Sequence, residues 1–477
     1  MPRRSARWLR REDVRGVIFR PLAALALAAL LALGPPGRGA AQTGSAQIAA
    51  LLAATEGRHA DALALARAIL AAHPGDAFAH YVIGTVMLWQ GDLAEAERAG
   101  KAAFRVADSP VQKHESARLA ATAAAAADHQ ISARYWLRHA AATAPDPNRR
   151  AAALSALDRL RAATPWTARL SFAIQPSNNV NSGASSRFNE IDGIPIVGVL
   201  SEDAVALPGT VATLDARLGY RVNASPQSRT EVSLRLDLRA VELRGTPLVS
   251  SWTPADGWVE TEIKNSSFGA ASIELGLAHR RYATPDRGSI GLELAAGRVW
   301  TGGAFAFDLV RLGADLTPRA GGFFYGASLE QRVAPTATRD QTIASLRGGW
   351  RGQRANGDRI TLGLGLRHVE TLRANARGTT ASLQLGYSPA RLLGPLAWSA
   401  SLGLGYSDYP DFNMGIFAVP GGRQETMGFA QIDLWAPKAG FAGFSPQITL
   451  RAVETLSNVS SFERRELSVG FALRSEF

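Results

Sequence analysis

The chain has no cysteine. That absence removes disulfide frameworks, thiolate metal sites and the lipid attachment that a lipoprotein needs at its N-terminus. Lysine is scarce as well, limited to Lys101, Lys113, Lys264 and Lys438. Arginine supplies the remaining positive charge without any basic run interleaved with aromatics, so the bias reads as coding composition and no nucleic-acid partner is expected. The motifs G-x-S-x-G, H-E-x-x-H, the Walker loop and G-x-G-x-x-G are all missing. The chain is therefore expected not to be an enzyme, with no catalytic residue, cofactor or metal. His59, His73, His80, His114, His129 and His139 lack metal-ligand spacing and are read as polar-face or packing residues. Asp408, Asp411 and Asn413 are weak calcium candidates, since such a site takes six or more oxygens and Tyr409, Pro410 and Phe412 interrupt them.

What is present begins with a leader. Arg3, Arg4, Arg7, Arg10, Arg11, Arg15 and Arg20 precede an apolar run from Leu22 to Leu33 that Gly34, Pro35 and Pro36 stop. The run is shorter than the roughly 20 residues of a spanning helix and has the order of a signal peptide. Residues 1–41 are assigned to it, with cleavage after Gly39-Ala40-Ala41 and Gln42 as the mature start. Glu12 and Asp13 after Arg10-Arg11 argue against a twin-arginine signal. With eight arginines and two acids up to Arg38, the leader takes more than half of the formal charge of +11 with it.

Residues 42–164 form an Ala- and Leu-rich block with helical propensity. Gly57 and Gly91 lie 34 residues apart, as do Ala62 and Ala96, which is the tetratricopeptide period. Gly84, Gly91, Ala96 and Ala103 fill the second hairpin. A looser third copy offers Ala133, Leu137, Ala140 and Pro145 three residues late, and a helix near Arg149–Ala162 caps the stack. A plain bundle with accidental spacing is the alternative. Either way the hairpins present a concave face of the kind that binds segments of other proteins.

At Pro165 the period changes to two and stays so through residue 477. Trp166, Ala168, Leu170, Phe172 and Ile174 alternate with Thr167, Arg169, Ser171 and Ala173. Leu214 to Val222 and Val232 to Leu238 repeat the pattern, with charge filling the other face. About fourteen such segments are predicted, an even number suited to a closed transmembrane antiparallel barrel. The expected fold is thus α + β multidomain, tetratricopeptide-like helices followed by that barrel. Short connections at Asn223–Ser228, Thr284–Gly288, Thr317–Gly321, Asn356–Asp358 and Ser388–Pro395 are expected to be periplasmic. The long ones, Gln175–Val211, Leu243–Ser267 and Ser407–Gly422, are expected outside the cell. Trp166, Tyr220, Tyr282, Trp350, Tyr387 and Trp398 then gather at the short-turn end as an interface girdle. Arg217, Arg221, Arg235, Asp237 and Arg239 are expected to face the lumen, where they either pair with one another or guide a passenger. The closing alternation of Leu467, Val469, Phe471 and Leu473 up to Phe477 looks like an assembly signal for the barrel insertion machinery, with Phe471, Leu473 and Phe477 as its anchors.

Trp166-Thr167-Ala168-Arg169-Leu170-Ser171-Phe172 followed by Gln175-Pro176-Ser177-Asn178-Asn179-Val180-Asn181 resembles the barrel opening of the surface lipoprotein assembly modulator (Slam) family, with its P-x-S/D-N-x-N element. Ser457-Asn458-Val459-Ser460-Ser461-Phe462-Glu463-Arg464-Arg465 is similar to that family's closing motif. The resemblance spans the mature chain. It implies a non-enzymatic outer-membrane translocon, moving a client lipoprotein or related secreted protein from periplasm to surface, with the helices in the periplasm. Expected partners are that client, the barrel assembly machinery and outer-membrane lipid, and the chain is expected to act as a monomer. Trp166, Pro176, Ser177, Asn178, Asn179 and Asn181 are the junction residues. The asparagines read as ordinary turn chemistry, as organisers of the first external loop, or as a client contact. Exopolysaccharide export and a general solute channel are the rival functions. Exporters that join such repeats to a barrel typically carry more of them, and a porin needs no helical domain.

Overall fold

The computed structural model describes residues 38–282, 288–318, 321–415, 417–436 and 444–475. The expected signal peptide therefore lies largely outside the described residues, as do Phe477 and most of the turn expected at Thr284–Gly288. The chain divides into two compact units between Thr164 and Pro165.

Among the described residues the first unit is seven helices: α1 (Arg38–Thr55), α2 (His59–Ala72), α3 (Ala77–Gln90), α4 (Leu93–Val106), α5 (Pro110–Ala126), α6 (Gln130–Ala142) and α7 (Pro147–Ala163). Sequence punctuation explains their ends. Asp76, Asp92 and Asp146 cap α3, α4 and α7 by accepting a backbone N–H, and Ser109 with Gln112 forms a capping box on α5. Gly91 ends α3 at φ 88°, and Gly57 turns between α1 and α2 at φ 80°. The third equivalent turn uses Asp128, at φ 60°. α5 has 17 residues where α3 has 14, and this extension is the origin of the three-residue lag in the repeat. Each helix packs on the next, and α1 also meets α3 and α3 meets α5, the neighbour pattern of stacked hairpins. Small residues set the spacing. A Cβ on Gly100 would stand 2.8 Å from the backbone nitrogen of Ala120, and one on Gly84 would strike Leu119 and Ala99.

The second unit is a closed antiparallel barrel of fourteen strands. They are β1 (Trp166–Ser177), β2 (Gly209–Ala224), β3 (Ser228–Leu243), β4 (Ala270–Tyr282), β5 (Ser289–Thr301), β6 (Ala304–Thr317) and β7 (Gly322–Val333), followed by β8 (Gln341–Gln353), β9 (Arg359–Thr371), β10 (Gly378–Ser388), β11 (Ala397–Tyr409), β12 (Arg423–Trp435), β13 (Phe444–Ser457) and β14 (Arg464–Ser475). Every strand pairs with its chain neighbours, and β1 pairs with β14 through Phe172↔Leu473 and Ile174↔Phe471, so no edge is left open. The leucines of one alternating set meet across strands, as in Leu277↔Leu294↔Leu312↔Leu329 and Leu364↔Leu383↔Leu404. They are exposed, Leu312 at 57% and Leu404 at 60%. A belt of bare leucine around a closed sheet suits hydrocarbon and not water.

The longest connections, between β1 and β2, β3 and β4, and β11 and β12, share one end of the barrel. Each carries a small hairpin that the sequence pattern did not announce: Phe188–Ile191 with Ile194–Val199, Leu248–Thr253 with Gly257–Glu262, and Asn413–Met414 with Phe417–Ala418. At the other end Trp166 meets Tyr220 at a tilt, 4.7 Å between ring centres, and Tyr387 meets Trp398 at 5.9 Å. Tyr282 departs from the expected girdle: its register partner is the buried Ser289, so it shares the inner set with Arg280.

Candidate functional site

The barrel's inner face and the loops that close its long-loop end contain most of the residues singled out in the sequence. Pro176 sits near the end of β1, where it has no N–H to give to the ladder. Pairing with β14 runs to Ile174↔Phe471 and resumes only at Ser177↔Ser468. Side chains fill the gap. Gln175 Nε2 donates to Ser468 Oγ at 2.5 Å, Ser177 Oγ to Glu466 at 3.3 Å, and the Leu467 N–H donates to Asn178 Oδ1 at 2.8 Å. Asn178 thus stands in for backbone at the closure seam.

Asn179 and Asn181 organise the loop that follows. Buried Asn179 bridges Gly183 in both directions, accepting its N–H at 2.8 Å and donating to its carbonyl at 2.9 Å. Asn181 accepts from the Leu207 N–H and donates to the carbonyls of Val205 and Asp203. Gly183 is required here, because a Cβ would lie 2.3 Å from the Val205 backbone. Between them Val180 packs on Val211, Val241, Leu243 and Ile263, of which Val211, Val241 and Leu243 lie on the inner strand faces. Arg239 Nη2 fastens it by donating to the Val180 carbonyl at 2.6 Å.

The segment that resembles a closing motif meets the first loop directly. Ser460 Oγ donates to the Phe188 carbonyl and accepts from the Glu190 N–H, each at 2.8 Å. The Asp192 N–H donates to the Asn458 carbonyl, and the Ser185 N–H to that of Glu463. Val459, fully buried, joins Ile191, Phe412 and Val419 in a small core. Beside it the guanidinium of Arg423 lies 3.8 Å from the ring centres of both Tyr409 and Phe462 and 4.7 Å from that of Phe412. The closing segment and the loop that follows the opening one are thus one structure, a clasp of the first and last long-end loops across the seam.

Of the charged residues singled out, Arg235 pairs with Asp215 and Asp237 at 3.1 and 3.0 Å, Ser272 donates to Asp237, and Arg217 reaches Ser233 at 3.4 Å. Arg239 holds the first loop, and the backbone N–H of Arg221 donates to the Pro165 carbonyl. All five share the alternating set opposite the leucines of β2 and β3. The same set continues where sequence reading did not follow it: Arg280 with Asp315, Arg311 between Glu274 and Glu330, and Arg332 on Glu330. Trp166 and Phe471 lie on the outer face, both exposed, with Leu473 on the same alternating set. The calcium candidates do not converge. Asp411 pairs with Arg377, Asn413 with Asn375, and Asp408 falls on the outer set; among the described residues no His, Asp or Glu group is gathered for a metal. Shallow outer-face grooves lie among Leu277, Leu294, Leu312 and Leu346 and belong to the apolar belt.

In the helical unit the polar groups that approach one another are structural. Glu97, nearly buried, accepts from Lys101, His129 and Ser132. Burial alone would raise its carboxyl, but those donors outweigh burial and hold it at about 2. His114 is enclosed, its Nδ1 2.7 Å from the Ala140 carbonyl, and burial pushes its imidazole below the ordinary value.

No protein-family model matches the chain, and no curated protein matches it. Among solved structures it is similar to a bacterial polysaccharide outer membrane secretin, at 12% identity over 65% of this chain and 98% of that one, with a TM-score of 0.35. The outer membrane channel DcaP of Acinetobacter baumannii matches at 9% identity, 65% and 97% coverage and a TM-score of 0.38. Pseudomonas aeruginosa OccD3 matches at 9%, 65% and 91%, with a TM-score of 0.30.

Proposed function

We propose that the protein is a non-enzymatic outer-membrane translocon that moves a client lipoprotein or related secreted protein from the periplasm to the cell surface. The observation that carries this reading is the joining, in one chain, of stacked helical hairpins to a closed fourteen-stranded barrel with a leucine outer face and a charged inner one. A passive solute channel has no use for the first part. Helical hairpins of this kind hold extended segments of other proteins, and a polar barrel interior accepts what hydrocarbon rejects. The resemblance of residues 166–181 and 457–465 to surface lipoprotein assembly modulators supports the same assignment. On this reading the short turns and the helices are periplasmic and the clasped loops face outward.

A deletion separates the two parts. With the signal peptide fused directly before Pro165, every strand remains and the barrel inserts. Surface display of the client, measured by protease shaving of whole cells, falls sharply while its total amount persists. Unchanged display removes the recruitment role of the helices. Loss of polymer secretion with no protein client affected supports polysaccharide export instead, and unchanged solute flux with no client of any kind supports a plain channel.

A further inference from the structure

The inner wall is not charged evenly. Across β3–β7 arginines and carboxylates interleave and neutralise one another, as in Arg280 with Asp315 and Arg311 with Glu274 and Glu330. On the four consecutive strands β8–β11 the inner set holds no carboxylate at all. It does hold Arg347 and Arg351 on β8 and Arg359 and Arg367 on β9, all four exposed. Their side follows from register and alternation: Arg347 and Arg351 continue the set of buried Ile343, and Arg367 lies opposite Ser345, while Leu346, Leu364 and Leu366 occupy the outer face. Among the described residues none of the four has a carboxylate partner.

The wall between them is bare. Gly349 faces Gly363 and Arg347 faces Gly365 across the β8–β9 ladder, so the guanidinium groups project over backbone instead of into side chains. A Cβ on Gly363 would find only Gln384, at 4.0 Å. The Phe324 ring lies on Gly349 and carries the Arg351 guanidinium 5.5 Å from its centre. Beyond β9 the inner set of β10 and β11 consists mainly of glycine, serine, threonine and glutamine, which add hydrogen-bonding groups but no charge.

Fixed positive charge along a water-filled passage with low-dielectric walls raises the local concentration of anions, and a guanidinium presents a fork that fits carboxylate and phosphate oxygens. We infer that Arg347, Arg351, Arg359 and Arg367 form an anion-binding wall and make the lumen selective for carboxylate- and phosphate-bearing solutes over cations. The inference concerns the passage itself and stands apart from the identity of any protein client.

The test uses the full chain in planar lipid bilayers under a potassium chloride gradient, followed by replacement of chloride with glutamate. The reversal potential is expected to show anions favoured severalfold over potassium, with glutamate carried as well. R347Q/R351Q/R359Q/R367Q brings selectivity to parity or reverses it, and R359Q/R367Q shifts it part of the way. R311Q/E330Q, which removes one charge of each sign from the adjoining strands β6 and β7, leaves it unchanged. Heat-modifiable mobility on gels verifies that each variant is a folded barrel, and the double variant serves if the quadruple one fails to assemble. Cation preference in the unaltered chain, unchanged selectivity in both arginine variants, or an inserted barrel that conducts neither ion overturns the inference.

Discussion

The two units solve opposite solvent problems with the same residue types. In the helical unit Val82, Val86 and a series of alanines are fully buried and the arginines and acids lie mostly outside. In the barrel most leucines of β4–β11 point outward, Leu309 excepted, and most of the charged residues lie on the inner set. Apolar burial drives the first arrangement, because water surrounds the helices. The second is stable only where hydrocarbon replaces water, and then closure is obligatory because unpaired backbone at a sheet edge has no partner in lipid. The difference teaches that a hydrophobic pattern specifies which side of a structure an element turns to its surroundings, and that period, more than hydrophobicity, distinguishes the two solutions.

The comparison breaks most visibly when a charge is placed on the wrong side of each unit. Val82→Asp puts a carboxylate without a partner at a fully enclosed site, and about 3–5 kcal/mol is expected to be lost from the helical unit. In the full chain the helical circular-dichroism transition then falls or disappears while the barrel's transition holds. Leu312→Arg is the counterpart. Leu312 sits mid-strand between Leu294 and Leu329, and an arginine there costs about 2–4 kcal/mol at mid-bilayer depth. Urea titration of the barrel refolded in lipid vesicles reads this loss, and the helical transition is the one that stays put.

Much of this inversion was legible in the sequence. Alternation with charge on a single side marks β2 and β3 residue by residue, and the roughly fourteen alternating segments correspond to the fourteen strands of the closed barrel. The repeat spacing marks the hairpins, and its lag of three residues is the extended α5. Other features were beyond reach for physical reasons. The clasp joins residues near 190 to residues near 460, and neither segment shows periodicity, so nothing local announces the contact. The hairpins within the long loops are too short for an alternating pattern to stand out. Asn178, Asn179 and Asn181 were recognisable as turn formers, but the share of the work that falls to Asn178, completing the ladder beside Pro176, depends on a strand almost 300 residues away. Arg347, Arg351, Arg359 and Arg367 were not singled out in the sequence. Their lack of carboxylate neighbours emerges only when strand order places β8–β11 side by side.

Acid sharpens the comparison, since the helical unit contains a carboxylate held at about 2. A depressed carboxylate contributes its stability in full above the unfolded value of about 4.5, and that contribution is lost as pH falls toward 2. His114 adds an earlier loss of the same sign, because an imidazole lowered by burial favours the fold above its ordinary value of 6.5 and opposes it below. The helical melting temperature is therefore expected to decline in two steps as pH is lowered. Glu97→Gln removes the lower step and costs about 1.5–3 kcal/mol at neutral pH, the range for hydrogen bonds to a charged group. A helical unit whose melting is independent of pH between 7 and about 3 contradicts both assignments.

The smallest expected effect lies at the barrel seam, and it distinguishes a structural asparagine from one that touches a passenger. Asn178→Ala removes the acceptor of the Leu467 N–H, leaving β14 one hydrogen bond short beside a proline that cannot donate. The loss is expected to be about 1 kcal/mol, since water at the barrel rim compensates part of it. It is read as a slightly lower temperature for the heat-modifiable gel shift, with the helical transition unmoved. Asn178→Asp retains an acceptor oxygen in the same place and is expected to restore most of the shift. If alanine leaves barrel stability untouched yet reduces display of a client, Asn178 belongs to the passage and not to the seam. If aspartate and alanine lower the transition equally, the Leu467 hydrogen bond is not what the side chain supplies.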